Sequence, residues 1–182
     1  MIRFPKRYAD TVARLRVPSG FLIVLVFGWL SHPTAFSLAI GLPIALLGLA
    51  LRAWAAGCLA KNQQLARGGP YAHTRNPLYI GTLMVAAGLV VASRNLWLGI
   101  LFAAVFAFVY LPVIQLEEQH LRALFPDYAG YAAEVPALWP RLTAAPPKNV
   151  QPFRMALYLR NKEYQAGAGL AAGMLFLLWK LL

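Results

Sequence analysis

The stretch AFSLAIGLPIALLGLALRAWAAGC, residues 35–58, decides how the rest of the chain is read. It carries one charge, Arg52, near its end and is longer than the roughly 20 apolar residues that cross a hydrocarbon core. Outward from it lie similar runs. Before it, Val17 to Leu30 is short and ends in the turn formers Ser31-His32-Pro33-Thr34. After it, Pro77 to Ala92 leads through a tight Ser93-Arg94-Asn95 turn into Leu96 to Leu116, and a last run spans Tyr164 to Leu182. Pro77 suits a first helical turn, where its missing N–H costs nothing. Pro43 and Pro112 fall inside spans, where kinks are expected and a neighbouring helix must satisfy the freed carbonyls. The pattern predicts an all-α, polytopic membrane protein with about five transmembrane helices.

Composition agrees. Of 182 residues, 60% are apolar and 13% charged, against about 45–50% and 25% in soluble domains. So much apolar surface cannot be hidden inside a 20.0 kDa globule and must face something apolar. The single cysteine, Cys58, excludes an intramolecular disulfide and a cysteine-based zinc cage. The basic start followed by a short apolar run invites a signal-peptide reading, but the turn at 31–34 reads better as a hairpin than as a cleavage site.

The net charge of +11 is read as orientation. Every Lys and Arg except Arg94 and Lys180 falls in the N-terminal arm, in the two long connections or, for Arg52, near the same end of its span, and all six acids share that side. By the positive-inside rule these segments are cytoplasmic, so an odd number of spans puts the N-terminus inside and the C-terminus on the opposite side. The chain is expected to be one membrane domain, residues 1–182. It divides into an N-terminal hairpin (1–60), a motif-bearing region (61–141), and a linker with the final span (142–182). Nearly all polar chemistry lies on the cytoplasmic face.

Three constellations there stand out. Gly68-Gly69-Pro70-Tyr71-Ala72-His73-Thr74-Arg75-Asn76-Pro77-Leu78-Tyr79-Ile80-Gly81 puts turn formers, a His, an Arg and two Tyr directly before a span. Arg75 has the planar fork that clamps a carboxylate or phosphate, although Tyr and Arg also anchor interfacial loops. Gln115-Leu116-Glu117-Glu118-Gln119-His120-Leu121-Arg122 closes the fourth span. Neighbours on a helix diverge by about 100°, so the two carboxylates cannot share one pocket equally. Glu118 is spaced to pair with Gln115 and Arg122 on the helix surface. A carboxylate at this depth needs water or a cation, and one of the two is expected to meet Arg75 or a ligand cation. Phe125-Pro126-Asp127-Tyr128-Ala129-Gly130-Tyr131, continuing to Val135-Pro136 and Trp139-Pro140-Arg141, predicts a short amphipathic helix lying on the membrane or folded back over a pocket. A fourth run, Asn161-Lys162-Glu163-Tyr164-Gln165, enters the last span, whose Gly169 and Gly173 form a Gly-x-x-x-Gly packing face.

Of the histidines, His32 lies in the outer turn and His73 and His120 on the cytoplasmic side, with no metal-ligand spacing. No metal is expected. There is no P-loop, nucleophile elbow or Rossmann fingerprint, and anionic lipid explains the basic arm more simply than nucleic acid.

The ordered set Gly69-Pro70-Tyr71, Arg75-Asn76-Pro77-Leu78-Tyr79-Ile80-Gly81, Glu117-Glu118, Phe125-Pro126-Asp127-Tyr128, Tyr131 and Val135-Pro136 resembles the isoprenylcysteine carboxyl methyltransferase and phospholipid methyltransferase superfamily. The resemblance covers residues 58–141. It implies S-adenosylmethionine bound in a cytoplasmic-side pocket and a methyl group passed to a lipophilic acceptor, isoprenylcysteine carboxylate-like or lipid-like. It places Tyr71, His73, Arg75, Asn76 and Tyr79 around the cofactor, Glu117 and Glu118 near its amino-acid end, and Gln63, Gln64 and Leu65 as further contacts. The family's Arg-His-Pro is Arg75-Asn76-Pro77 here, and Asn76 hydrogen-bonds without titrating near neutrality.

Transfer from a sulfonium is an in-line displacement that needs alignment and exclusion of water more than proton shuttling. A carboxylate acceptor is already ionised at neutral pH; an amine must lose a proton, for which Glu118 or His120 is placed. The reacting set is thus expected to centre on Arg75, Asn76 and Glu118, with Arg141 meeting the acceptor's headgroup. Two other classes stay open: a membrane NADPH-dependent sterol-type reductase, which shares a related C-terminal pattern, and a non-enzymatic membrane assembly protein.

Overall fold

The computed structural model describes residues 4–145 and 152–182; Arg3 and Lys148, two of the orientation charges, lie outside them. Among the described residues the chain is helical, without strands. The helices are α1 (Lys6–Leu30), α2 (Ala35–Gly57), α3 (Pro77–Ser93), α4 (Leu96–Val105), α5 (Leu111–Leu124), α6 (Tyr128–Glu134), α7 (Met155–Arg160) and α8 (Tyr164–Leu181).

Helix boundaries follow local chemistry. Thr34 caps α2 in a reciprocal pair with Ser37, satisfying two otherwise orphaned donors. Pro77 opens α3, and Asn95 caps α4 through the Trp97 amide. α2 runs through Pro43 as one helix. Pro112 acts differently. The residues just before it, Phe106–Tyr110, are wound as a π-helix joining α4 to α5. Pro112 has no N–H for the carbonyl four residues back, that of Phe108, which instead accepts a hydrogen bond from the Tyr8 hydroxyl of α1 at 2.8 Å. The neighbouring helix supplies what the proline withholds.

Five helices stand where five spans were expected, yet two have the length and apolarity to cross a membrane: α2, and the 29-residue unit Leu96–Leu124. A third is counted if α1 is taken as one span bent by 60° between Lys6–Leu15 and Gly20–Leu30, the stretch that contains Pro18. α3 is apolar but shorter, and α8 carries Gln165 and Lys180 in its end turns. The helix also begins well before Val17. Its first half packs along α5, tied by a two-way clasp between the Phe4 backbone and the Gln115 side chain, at 2.8 and 3.0 Å.

The tightest pairing is α2 against α3, and glycine makes it. A Cβ on Gly48 would stand 2.6 Å from the Gly81 carbonyl oxygen, and one on Gly88 would stand 2.6 Å from that of Gly41. Spaced seven apart on each helix, these glycines bring two backbones into contact. The packing role expected of Gly169 and Gly173 is not observed. Nothing lies within 4 Å of a Cβ on Gly169, and Gly173 meets only Leu89, at 3.9 Å. Their lack of side chains opens space instead.

The bundle has two unlike ends. At one, His32 N–H donates to the Ser93 carbonyl, Asn95 to Leu30, and Lys180 Nζ to Gly28. At the other end of α2 lie the 59–76 loop, the end of α5, and α6 and α7. The polar constellations gather there.

Candidate functional site

Arg75 organises this end. Its backbone N–H donates to the Pro136 carbonyl at 2.9 Å, drawing the segment after α6 across the start of α3. Its guanidinium donates from Nε (3.0 Å) and Nη2 (2.7 Å) to one oxygen of Glu118, and from Nη1 to the carbonyls of Ala132 (2.7 Å) and Val135 (3.0 Å). Arg75 and Glu118 are nearly buried, at 11% and 12% side-chain exposure. A planar, five-donor group spent this fully joins three segments: the loop that follows the 3₁₀ turn Gly69–Ala72, α5 and α6. The α6 segment does fold back, as one of the two sequence readings had it.

The same fold-back is stitched elsewhere. Asn76 Nδ2 and the Thr74 hydroxyl donate to the Ala137 carbonyl, each at 3.0 Å. The Arg141 N–H donates to the His73 carbonyl, and His73 Nδ1 lies 2.9 Å from the Arg141 carbonyl oxygen. The Tyr131 hydroxyl donates to the Tyr71 carbonyl at 2.8 Å. Arg67 and Arg122 stand over the rings of Tyr131 and Tyr128, and these two rings meet edge to face. Arg122 is therefore occupied by an aromatic face, and the expected Glu118–Arg122 and Glu118–Gln115 pairs are replaced by Arg75–Glu118 and by the Phe4–Gln115 clasp.

These contacts enclose a cavity of about 470 Å³, walled mostly by apolar side chains such as Leu59, Leu78, Val113 and Leu116. Among the residues picked out from sequence, Gln64, Leu65, Tyr71, Arg75 and Glu117 line it. Gln63 lies in a smaller adjoining pocket of about 230 Å³ that shares Gln64, Leu65 and Phe125 with the first. His73, Asn76, Tyr79, Glu118 and Arg141 do not line the main cavity. Asn76 and His73 are tied to the 137–141 backbone, Tyr79 packs edge to face on Tyr110, and Arg141 Nη1 is spent on the Glu134 carbonyl. His120, named from sequence as a candidate base, also lines it, and lining residues missed from sequence include Lys61, Asn62, Tyr128 and Tyr131; the two tyrosines had stood in the motif without a role.

Among the polar groups in the wall, Glu117 and the Tyr71 and Tyr128 hydroxyls have unspent capacity. Glu117 makes no hydrogen bond or ion pair among the described residues, whereas Glu118, one position on, is paired with Arg75 through one oxygen. The Tyr71 hydroxyl is buried without a hydrogen-bond partner. Burial, more than the neighbouring Tyr131, Cys58, Glu117 and Glu163, pushes its pKa well above the ordinary 10.0, so it serves as a donor and not as a base. Tyr128 is pushed up to about 12, chiefly by burial and then by the charge of Glu118.

With the geometry in view, the sequence profile of the phospholipid methyltransferase family matches residues 38–128. The chain belongs to that family. The family is part of the isoprenylcysteine carboxyl methyltransferase-like group of integral membrane methyltransferases. The matched span runs from α2 to the first residue of α6, so it includes the cavity's lining residues except Ala13 and Tyr131. The chain is also similar to the cobalt-zinc-cadmium resistance protein CzcN of Cupriavidus metallidurans, 32% identical over 126 residues, or 66% of this chain and 58% of that protein. It is similar to the nickel-cobalt-cadmium resistance protein NccN of Alcaligenes xylosoxydans xylosoxydans, 29% identical over 151 residues, 80% of this chain and 71% of the relative. The match thus spans somewhat over half of the first relative's length. No solved structure matches the chain.

Proposed function

We propose that this family member is an S-adenosylmethionine-dependent methyltransferase that passes the methyl group to a lipophilic acceptor at the membrane boundary. The observation that carries the proposal is Glu117, a carboxylate without a partner among the described residues, facing an otherwise largely apolar cavity beside a buried, unspent tyrosine hydroxyl. Glu117 is exposed, so water meets its carboxylate in the ligand-free protein and leaves it available to a cation entering the cavity. A sulfonium with its α-amino group offers that cation, and the apolar walls suit an adenine ring. The residues present therefore fit the cofactor, which supplies an activated methyl on a cationic sulfur when bound.

The chain's own residues then have distinct tasks. Glu117 meets positive charge and holds the donor in place. Tyr71 donates a hydrogen bond to an acceptor atom on the ligand. Arg75 and Glu118 hold α6 over the cavity and so exclude water, which is the main requirement of a displacement at sulfur-bound carbon. The clamp expected of Arg75 on the cofactor's carboxylate is transferred to groups at the rim, Lys61 among them.

The lipophilic half of the proposal rests on a second space. An apolar groove of about 880 Å³ lies between α1, α3, the π-helical segment and α8. Leu78 in the cavity and Thr82 in the groove share one face of α3, and Val113 of α5 lines the cavity while Tyr110 of the π-helical segment lines the groove. Cavity and groove are thus stacked, an arrangement suited to an acceptor with a polar head and an apolar tail. The relatives' names concern metal resistance. We place this chain's contribution in methyl transfer on the strength of the family match over residues 38–128.

Calorimetric titration of the detergent-purified protein with S-adenosylmethionine, its demethylated product and NADPH tests the proposal. Saturable binding of the first two supports it. Binding of NADPH alone would move the chain to the reductase class, and binding of none would remove the enzymatic reading.

A further inference from the structure

The run Asn161-Lys162-Glu163 enters α8 beyond the family-matched residues, and its sequence points to no part in the site. The structure ties it to the cavity wall. Asn161 Nδ2 donates to the carbonyls of Ala56 and Leu59, each at 2.9 Å. Arg154 N–H donates to the Gly57 carbonyl at 2.9 Å. The Gly57 carbonyl lies in the last turn of α2, where no further intrahelical donor follows, and the Ala56 carbonyl also accepts from the Leu59 amide of the terminal turn, so a hairpin about a hundred residues away helps cap the helix. Lys162 then turns the chain with a φ of 54°, and Glu163 enters the interior, 7% exposed.

There Glu163 Oε1 accepts from Arg52 Nε at 2.5 Å. Arg52 Nη1 donates to the Thr82 hydroxyl and reaches the Leu78 carbonyl at 3.4 Å, and Thr82 itself donates to that carbonyl at 2.9 Å. One guanidinium therefore joins α8, α2 and the first turns of α3. Leu78 forms part of the cavity wall and Thr82 part of the groove. Gly81 lies between them, and a Cβ there would collide with the Arg52 side chain. A buried ion pair among apolar helices is retained at a cost, and its position points to a use beyond holding helices together.

We infer that the α7–α8 hairpin is part of the site, and that Glu163 is a positioning residue acting through Arg52 on the Leu78–Thr82 wall. This rests on the cofactor-binding reading above. A mere staple needs any well-packed pair; a positioning device needs the planar fork, because an ammonium cannot serve Glu163, Thr82 and Leu78 from fixed directions.

The test uses the full chain in detergent with S-adenosylhomocysteine as the calorimetric probe. Two changes are compared, Arg52→Lys and the double substitution Arg52→Met with Glu163→Met. The first keeps the charge. The second replaces the pair by apolar side chains, which commonly preserves stability. The expected result is a melting temperature within a few degrees of the parent and affinity weaker by about tenfold or more, since small displacements of a site wall have large effects. Unchanged affinity in a folded variant overturns the inference and leaves a staple. If the double variant does not fold, Arg52→Lys decides. If the parent binds no probe, the functional reading falls by itself. The positioning claim is then read from amide hydrogen exchange over residues 78–82, which accelerates in Arg52→Lys if the claim holds and is unchanged if it does not.

Discussion

The Arg75 guanidinium gives two of its hydrogen bonds to a single oxygen of Glu118. Two more go to backbone carbonyls of the α6 segment. This pair divides the labour between adjacent carboxylates: Glu118 holds the fold, and Glu117 faces the cavity.

Arg75→Ala should therefore act on stability first. It leaves Glu118 and two carbonyls unpaired in a nearly buried setting, a loss of about 3–5 kcal/mol. The expected readout is a large drop in melting temperature in detergent, with early proteolysis around α6. A stable Arg75→Ala protein that had merely lost ligand affinity would return Arg75 to a direct binding role.

Alkaline pH should loosen the α6 lid. Tyr128 titrates near 10.0 in the unfolded chain and about 12 in the folded one. Below pH 10 both states keep the proton and stability is unaffected. Between about pH 10 and 12 the unfolded chain binds fewer protons, so stability falls as pH rises. Melting curves taken from pH 8 to 11.5 should show this decline, and Tyr128→Phe should make it shallower. An identical decline in both proteins would contradict the assignment.

Glycine substitutions should sort by contact, not by motif. Gly48→Ala forces a methyl into the Gly81 carbonyl and should cost about 1–3 kcal/mol by overpacking. Gly169→Ala meets open space and should be neutral or stabilising by up to about 1 kcal/mol. Thermal melts of the two variants check the pair.

What sequence revealed and what it hid follow from range. Ala35–Gly57 was legible almost to the residue because apolar length and Thr34 are local signals. The freed carbonyl at Pro112 was foreseeable; that Tyr8 would satisfy it was not, since the partner lies 100 residues away. The Gly-x-x-x-Gly at 169–173 misled because a motif reports capacity for close approach, not the helix that uses it. Glu117 and Glu118 were known to diverge, but which one would meet Arg75 depended on where α6 folded. Arg52 and Glu163 escaped notice as a pair because nothing local links them.

The groove offers a separate test of the acceptor. A Cβ on Gly173 has room, and Gly173→Leu fills apolar space without touching the cavity. S-adenosylhomocysteine affinity should be unchanged, while the KM for a long-tailed acceptor rises several-fold and that for a short-tailed analogue does not. Equal effects on both acceptors would place the tail elsewhere.

The central claim is that Glu117 receives the cationic methyl donor. The most direct measurement is calorimetric titration of parent and Glu117→Gln proteins with S-adenosylmethionine in the same detergent. Removing the charge while keeping the shape should weaken binding by about tenfold or more, in line with the ~1.5–3 kcal/mol of a hydrogen bond to a charged group, with the melting temperature of the ligand-free protein preserved. Equal affinity in the two proteins, or no binding to the parent, would contradict the account.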